Sequence, residues 1–286
     1  MAQKGVRAVK ACLFVIATPI GNLGDITSRA LETLREVDLI AAEDTRHSAR
    51  LMRHFNVSTP VVSYHDHSKE SDLFALLNHL RSGRSLALIS DAGTPLVSDP
   101  GYRLVAACQA ESIPVVPIPG ASALTAALSA SGLPTDRFHF EGFLPVKSGQ
   151  RRTRLKSIQH LESTLVFFES PRRLPESLQA LLEVLGNRDA ALCRELTKAH
   201  ETIRRDSLVG LRDFVAADAQ QLRGEAVLVV AGFELSSEAL TPAAMSLVER
   251  LAQELPPRRA AAVAADITDG SARALYDWLL EKKRDS

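Results

Sequence analysis

Short apolar runs alternate with amphipathic stretches through the first part of the chain. Five runs have the length of buried strands, at residues 13–17, 39–42, 61–64, 86–89 and 115–118. Between them apolar side chains recur three or four positions apart, most clearly at Leu73, Leu76, Leu77 and Leu80, which is the spacing of one helix face. We predict helices over residues 46–55, 70–81, 102–110 and 121–130, and one through Leu34 that Asp25 or Thr27 caps. This alternation predicts a mostly parallel sheet covered on both faces.

The pattern changes in the second half of the chain. Strand-like runs lie at residues 138–143, 165–168, 190–196, 201–208 and 226–231. A basic helix is predicted over residues 148–160, and a helix that starts at a proline ends at Leu185. The runs at 190–196 and 201–208 are separated by only a few residues, which favours antiparallel pairing. We therefore expect a mixed sheet here, with a domain boundary near residues 120–137.

The last segment of the chain has a third character. Residues 236–242 contain Ser, Thr and Pro and are typical of a linker. Three helices are predicted over residues 242–254, 257–266 and 271–283, and Ser271 is a suitable cap for the last of them. The spacing is that of a helix-turn-helix unit. From periodicity alone, this tail either contacts nucleic acid or packs on the body or on a partner subunit.

Together these patterns predict an α/β protein in three parts. The expected parts are an α/β domain over residues 11–122, a mixed α/β domain over residues 123–235 and a helical extension over residues 242–286.

Charge and cysteine content narrow the class of protein. Lys and Arg together number 34, as do Asp and Glu, so any nucleic-acid contact must come from a local basic patch. Cys12, Cys108 and Cys193 lie far apart in apolar runs, and we expect free, buried thiols in a cytoplasmic protein. Neither a transmembrane helix nor a signal peptide is expected, because the apolar runs are too short. No metal site is expected, because His65-Asp66-His67 offers too few converging ligands.

Four turns rich in Gly and Pro are the candidate ligand site. They lie at residues 18–25, 91–95, 98–101 and 119–122, and three of them directly follow predicted strands. Glycine lets a backbone approach a ligand closely, and loops at the carboxyl ends of parallel strands are where α/β proteins bind small molecules. There is no G-x-G-x-x-G fingerprint after the first strand and no P-loop lysine motif. The set favours a cleft built largely from backbone, although any single turn is more typical of a tight strand-to-helix connection.

This cleft suits a ligand with a carboxylate and a nucleoside part. Backbone N–H groups at Asp91, Ala92 and Gly93, and at the helix start near Ala121, would hold the carboxylate. Asp91 or Asp99 would take an ammonium group.

An ordered series of motifs resembles the tetrapyrrole methylase family. More narrowly, it is similar to the bacterial branch of that family that methylates a cytidine ribose in small-subunit ribosomal RNA. The motifs are TPIGNLGDIT at 18–27, AAEDTRH at 41–47, SDAGTPLVSDPG at 90–101, PGASA at 119–123, GLP-x-DRF at 132–138, EGFLP at 141–145, FFES at 167–170 and RELTK at 194–198. EDTRH together with EGFLP separates this branch from the corrin-pathway methylases.

The resemblance implies two α/β domains with S-adenosylmethionine in the cleft between them, and a homodimer. By matching position, the cofactor site would be lined by Pro19, Gly21, Asp91, Ala92, Gly93, Thr94, Pro119, Gly120, Ala121, Ser122 and Phe168. Residues around Ala226 would also contact the adenosyl part. The implied reaction is 2′-O-methylation of a cytidine in the decoding region of 16S ribosomal RNA.

A ribose hydroxyl is a poor nucleophile until a base accepts its proton. The candidates for that base are Glu43, Asp44, Asp91, Glu195 and Lys198. Lys198 would serve if burial lowers its pKa, or it would simply pair with Glu195. The sequence leaves the choice among these five open.

Basic residues provide the candidate RNA contacts. They are Arg46, Lys147, Arg151, Arg152, Arg154, Arg258 and Arg259. Without the family resemblance, a stretch of basic residues is more typical of a solvated helix face. With it, we expect them to meet phosphates of small-subunit ribosomal RNA or of the 30S subunit. Two alternatives stay open: a methyltransferase that acts on a tetrapyrrole, and a non-catalytic RNA-binding or ribosome-assembly factor.

Overall fold

The computed structural model describes residues 12–234, 240–268 and 270–284, with side chains described as far as residue 282. The chain divides into two compact units, one ending at Gly232 and the other beginning at Phe233. The expectation about a signal peptide, and most of the predicted linker over residues 236–242, fall outside the described residues.

The first sheet has five parallel strands in the order β3-β2-β4-β1-β5. The strands are β1 (Leu13–Ile16), β2 (Leu39–Ala42), β3 (Val61–Ser63), β4 (Leu86–Ile89) and β5 (Val115–Ile118). The helices that alternate with them are α1 (Ser28–Glu36), α2 (Thr45–His54), α3 (Glu70–Arg81), α4 (Tyr102–Ala110) and α5 (Ala123–Ser131). This confirms the predicted alternation and the parallel sheet.

Both faces of this sheet are buried, as the alternation predicts. Phe14 packs on one face with Leu34 of α1 and Met52 of α2. Leu13, the neighbouring residue, packs on the other face with side chains of α3 and α4. Successive residues of a strand point to opposite faces, so continuous apolar runs are needed to fill both layers.

Side-chain caps define where the first two helices begin. The Thr27 hydroxyl accepts a hydrogen bond from the Ala30 N–H at 3.1 Å and starts α1. Asp25 instead ends a short 3₁₀ turn, so the cap is Thr27. The Asp44 carboxylate accepts from the Arg46 N–H at 2.8 Å and starts α2. Each cap satisfies a backbone donor that has no partner within its helix.

The second sheet is mixed, with the order β6-β7-β10-β8-β9. Its strands are β6 (Phe138–Phe143), β7 (Thr164–Glu169), β8 (Asp189–Arg194), β9 (Thr202–Ser207) and β10 (Ala226–Val230). Strands β6 and β7 are parallel, whereas the other neighbours are antiparallel, including the predicted β8–β9 pair. Helices α6 (Ser148–Ile158) and α7 (Leu174–Leu185) follow the predicted positions.

The sequence pattern does not predict one helix of this half of the chain. Helix α8 (Leu208–Ala217) follows β9 directly, and Ser207 caps it by accepting from the Gly210 N–H at 3.1 Å. Leu208, Leu211 and Val215 are buried at helical spacing. The helix is short, contains a glycine and continues straight out of a strand, so neither a turn nor a long periodic pattern marks it.

The second compact unit is helical. It contains α9 (Pro242–Glu254), α10 (Pro257–Thr268) and α11 (Ala272–Arg284). The small side chains of α10 form much of its core, at Ala260, Ala261, Ala264 and Ala265. Ser271 accepts from the Ala274 N–H at 3.2 Å, which confirms the predicted cap. No helix in the described part of the chain has the length and apolar character to cross a membrane.

Candidate active site

A cavity of about 380 Å³ lies in the first unit, within the range of small-molecule sites. Loops that follow strands of the first sheet form one wall. Strand ends and loops of the second sheet form the other. The first wall contains Ile20, Ala92, Gly93, Thr94, Val97, Ser98, Asp99, Ser122 and Ala123. The second contains Phe143, Phe168, Glu169, Ser170, Pro171, Cys193, Leu196, Gly224, Glu225, Ala226 and Val227.

Backbone hydrogen bonds hold the Gly-Pro turns of the first wall together. Thr18 and Gly93 form an isolated bridge, with the Thr18 N–H donating to the Gly93 carbonyl at 2.8 Å and the Gly93 N–H donating back at 3.0 Å. The Thr94 hydroxyl donates to the Ala121 carbonyl at 3.1 Å. These bonds join three turns that are distant in sequence, as expected for a single cleft.

Gly93 has a structural reason to be glycine. Its φ of +83° lies in the left-handed region, and a Cβ there would come 3.2 Å from Ile20 Cγ2. Because its N–H already donates to Thr18, Gly93 lines the cavity without offering that N–H to a ligand. The prediction that this N–H holds a ligand carboxylate is therefore wrong.

Two aromatic residues, Phe143 and Phe168, line the second wall. Phe168 meets Phe140 edge to face at 4.8 Å between ring centroids, and Phe143 at 5.8 Å. Phe168 is the aromatic residue that the sequence analysis expected here, and Ala226 also lines this wall. The wall offers an apolar, flat surface of the kind that packs on a nucleobase.

Arg194, at the end of β8, organises the loops behind this wall. It is buried, and its guanidinium donates to the Gln221 side chain at 3.0 Å and to the Arg223 carbonyl at 3.1 Å. It also reaches the His200 carbonyl at 3.4 Å. One side chain thus ties together two loops that contribute Leu196 and Glu225 to the cavity.

Lys198 forms an ion pair with Glu195, which is one of the two roles that the sequence leaves open for it. Its ammonium donates to Glu195 at 2.9 Å and to Glu225 at 3.1 Å. Burial alone would lower the pKa of Lys198, but these hydrogen bonds more than offset burial, so its pKa lies above the ordinary value. Its aliphatic stem packs over Gly21, where a Cβ would collide with it. Lys198 therefore links the turn at Gly21 to the loops of the second sheet.

Glu195 is engaged in the same cluster. Burial would raise its pKa, but the bonds from Lys198 and from the Glu225 N–H outweigh burial and lower it. A carboxylate with a lowered pKa is a weak base. Glu195 thus serves structure better than proton transfer.

Asp99 of the first wall lies near a group of further acidic residues that do not line the described cavity. The Asp91 carboxylate accepts a hydrogen bond from the Asp44 N–H at 3.0 Å. Asp44 itself is exposed, and its carboxylate caps α2. Burial and the charges of Asp91 and Asp99 raise the pKa of Glu43. Burial and the charge of Asp91 likewise raise the pKa of Asp99, against a hydrogen bond from Ser90 that lowers it. The carboxyls of Glu43 and Asp99 therefore bind a proton more strongly than ordinary carboxyls do.

Three acidic residues are among the described residues that line the cavity, and two of them are held by other groups of the protein. Glu169 accepts from the Ser170 N–H at 2.8 Å and the Ser177 hydroxyl at 2.5 Å. Glu225 is paired with Lys198. Asp99 is the remaining acidic residue among the described lining residues. The sequence predicts Asp99 only as a partner for an ammonium group.

The basic segment of α6 is less available than its sequence indicates. Arg151 is 4% exposed and pairs with Glu176 at 3.0 Å, so it does not lie on the surface. This corrects its expected role in RNA contact. Arg152 bonds Glu183 at 2.7 Å, and Arg154 holds Glu141 with two hydrogen bonds at 2.5 and 2.8 Å.

The other expected RNA contacts lie at the surface. Arg46 and Lys147 are exposed in the first unit. In the second unit Arg258 and Arg259 are exposed, and the Arg258 guanidinium lies 5.6 Å from the centre of the Tyr276 ring.

The structure thus brings together part of the expected cofactor site. Five expected residues line the cavity: Ala92, Gly93, Thr94, Ser122 and Phe168. The other expected positions are not among the described residues that line it: Pro19, Gly21, Asp91, Pro119, Gly120 and Ala121. Phe143, Ser170, Pro171 and Gly224 were missed, although EGFLP and FFES, which hold the first two, were recognised as motifs.

Neither the cysteines nor the histidines form a metal site in the described part of the chain. The three cysteines are free and buried, as predicted, and burial raises the pKa of the Cys193 thiol beside the cavity to about 11. Within the described ranges, no group of three or more His, Cys, Asp or Glu side chains is placed to hold a metal ion.

The fold and the family of the chain follow from comparison with known proteins. Residues 12–211 match the tetrapyrrole (corrin/porphyrin) methylases, so the chain belongs to that family. Diphthine synthase has the same fold, with a TM-score of 0.58 and 18% identity over 77% of this chain and 90% of that one. Uroporphyrin-III-C-methyltransferase from Thermus thermophilus gives 0.56 and 21%, over 78% and 94%.

The sequence places the chain more narrowly within that family. It is 51% identical to ribosomal RNA small subunit methyltransferase I of Pseudomonas aeruginosa, over 95% of this chain and 97% of the relative. The protein of the same name from Vibrio cholerae is 49% identical, over 94% of each chain. Residues 238–283 match the RsmI C-terminal HTH domain, which agrees with the helix-turn-helix expected from the spacing.

Proposed function

We propose that this protein transfers a methyl group from S-adenosylmethionine to the ribose 2′-oxygen of a cytidine in the decoding region of 16S ribosomal RNA. The observation that carries this is the near-complete match to ribosomal RNA small subunit methyltransferases. The motif loops that the chain shares with this branch also line its cavity.

The residues present fit this cofactor. A Cβ at Gly93 would press on Ile20, so the first wall is a cradle shaped by the absence of a side chain. Phe168 and Val227 provide apolar surface for an adenosyl part, and Ser122 lies at the start of α5. A helix start favours a carboxylate. When bound, the cofactor supplies a methyl group already activated by a positive sulfonium, so the protein mainly supplies alignment.

Asp99 is our choice for the group that accepts the ribose proton. It lines the cavity, whereas Lys198 and Glu195 neutralise each other and Asp44 caps a helix. A carboxylate of raised pKa binds a proton more strongly, which suits a base that works near neutral pH. Asp91 assists it, because burial and the charge of Asp91 raise the pKa of Asp99.

The RNA surface that we propose is smaller than the basic sequence predicts. It comprises the exposed Arg46 and Lys147 of the first unit and Arg258 and Arg259 of the second. Arg152 and Arg154 would join only by leaving Glu183 and Glu141. Phosphates compete well for Arg152, because its pair with Glu183 is exposed and contributes little in water. Arg154 is less easily released, because its partner Glu141 is buried.

We also propose that the protein acts as a homodimer in the cytoplasm. The support is the family resemblance and the ribosomal substrate named for its relatives. The molar mass from light scattering tests the dimer, and a monomer at micromolar concentration would refute it.

The decisive experiment is methyl transfer from radiolabelled S-adenosylmethionine to 30S subunits from cells that lack this activity. Nuclease digestion then locates the label. We expect it on the ribose of one cytidine. Label on no RNA, with cofactor binding intact in calorimetry, would point to another acceptor such as a tetrapyrrole. Absence of cofactor binding would point to a non-catalytic RNA-binding factor.

A further inference from the structure

Phe143 is the exposed aromatic residue at the edge of the cavity. It ends β6 and lines the cavity, yet it is 56% exposed. Its ring meets Phe168 edge to face at an interplanar angle of 67°. A large apolar ring left in water beside a ligand cavity marks a surface that another flat group covers.

The chain just after Phe143 is held by a buried network. Arg173 donates to the Leu144 carbonyl at 2.6 Å, and its Nε lies 3.4 Å from the Glu169 carboxylate. Glu169 is 2% exposed and also accepts from Ser177. This network ties the turn after β6 to the end of β7. The exposed ring is therefore preorganised, which lowers the entropy cost of binding a partner.

We propose that Phe143 is the stacking platform for a nucleobase of the RNA substrate, beside the ribose that is methylated. The proposal rests on the proposed function. A ribose oxygen must come within about 3–3.5 Å of the methyl group, and a nucleotide that has left the RNA stack can carry its ribose into a cavity. A base that leaves its stack regains that contact on an aromatic side chain. The exposed Lys147, four positions further on, supplies positive charge for a phosphate nearby.

The test compares Phe143→Ala, Phe143→Leu and Phe143→Trp with the control Phe138→Ala. Phe138 begins the same strand and is 46% exposed, but it is not among the described residues that line the cavity. We expect Phe143→Ala to raise the KM for 30S subunits about 5- to 150-fold, which corresponds to one base–aromatic contact. Phe143→Leu should behave like Ala, whereas Phe143→Trp and Phe138→Ala should stay within about threefold of wild type. Filter binding of 30S subunits in S-adenosylhomocysteine should give the same order.

Four results would overturn the proposal. An equal loss of S-adenosylmethionine affinity in calorimetry would mean that the ring covers the cofactor. Wild-type behaviour of Phe143→Leu would mean that apolar bulk suffices, and an unchanged KM in Phe143→Ala would show that no base stacks on the ring. A changed molar mass in light scattering would assign the ring to an interface between copies. Label on another RNA atom in the wild type would refute the proposed function alone, because the binding order still tests stacking.

Discussion

At the scale of single residues, pairing decides which charged groups are available for chemistry. Lys198 and Glu195 are attractive candidates in the sequence, but their hydrogen bonds move their pKa values in opposite directions, away from neutrality. Asp99 has no lysine or arginine among the causes of its pKa shift, and burial beside Asp91 moves its pKa upward. The direction of each shift thus separates a structural ion pair from a working base.

Replacing Asp99 by Asn should slow methyl transfer without abolishing cofactor binding. Loss of a general base typically costs about 10²- to 10⁴-fold in kcat. The amide keeps an oxygen that can accept from Ser90, so the local structure should survive. Single-turnover rates and calorimetry on the same protein check this. Weaker cofactor binding with a normal rate at saturation would instead assign Asp99 to the cofactor's ammonium group.

The pH dependence provides an independent check through Asp91→Asn. Protonated Asp99 cannot accept a proton, so the rate should fall as the pH falls through its raised pKa. The charge of Asp91 raises that pKa, and its removal lowers it. The acidic limb of the kcat profile should therefore move to lower pH in Asp91→Asn. A limb that stays in place, or moves to higher pH, would contradict the assignment.

At the scale of elements, the turns rather than the strands carry the site. The strands supply continuous apolar runs, and their carboxyl ends set the turns side by side. The bridge between Thr18 and Gly93 and the bond from Thr94 to Ala121 then lock three turns into one wall. Glycine is required where that wall closes, because a side chain would push on Ile20.

Gly93→Ala and Gly83→Ala form a matched pair that isolates this effect. Their φ angles are +83° and +85°, so alanine meets the same backbone strain at both. That strain costs about 1–2 kcal/mol in each protein. At Gly83 a Cβ meets nothing within 4 Å, whereas at Gly93 it presses on Ile20.

Both alanine variants should therefore lose thermal stability, and Gly93→Ala should lose somewhat more because its Cβ also presses on Ile20. Only Gly93→Ala should weaken S-adenosylmethionine binding, by about tenfold or more, because the added methyl group prevents close approach of the backbone to the cofactor. Calorimetry measures the cofactor affinity of the two variants, and thermal melts measure their stability. Equal cofactor affinities would show that Gly93 is needed only for its turn.

At the scale of the whole molecule, the chain separates the cavity from the helical unit. All described residues that line the cavity lie at or before Val227, whereas the second unit begins at Phe233 and has a core of its own. Arg258 and Arg259 lie at the surface of that unit. The cavity thus belongs to the first unit alone, whereas the proposed RNA surface draws on residues of both units.

Removal of residues 240–286 should weaken 30S binding much more than cofactor binding. The full-length variant with Arg258 and Arg259 both changed to Ala is the milder comparison. It should reduce the salt dependence of subunit binding by about one unit of slope for each phosphate that the protein no longer neutralises. Equal reductions of cofactor and subunit affinity after truncation would show that the helical unit supports the fold of the first unit.

Much of the element order could be predicted from the sequence because it depends on near neighbours. The strands of the first sheet and the three helices of the second unit lie within a few residues of the predicted positions. Helix α8 was missed because Gly210 weakens its pattern and β9 runs directly into it. The turn at Gly93 was also recognisable, because Gly and Pro mark turns locally.

The sequence by itself determined the two sheet patterns, the helical tail and the glycine turns, because apolar periodicity and turn chemistry act between neighbouring residues. Only the tertiary structure decided that Arg151 is buried against Glu176, that Lys198 is neutralised and that Asp99 faces the cavity. It also brought Phe143 beside Phe168, although 25 positions separate them in the chain. The burial and the pKa of a side chain depend on which distant segments of the chain come into contact, and a local sequence pattern does not determine those contacts.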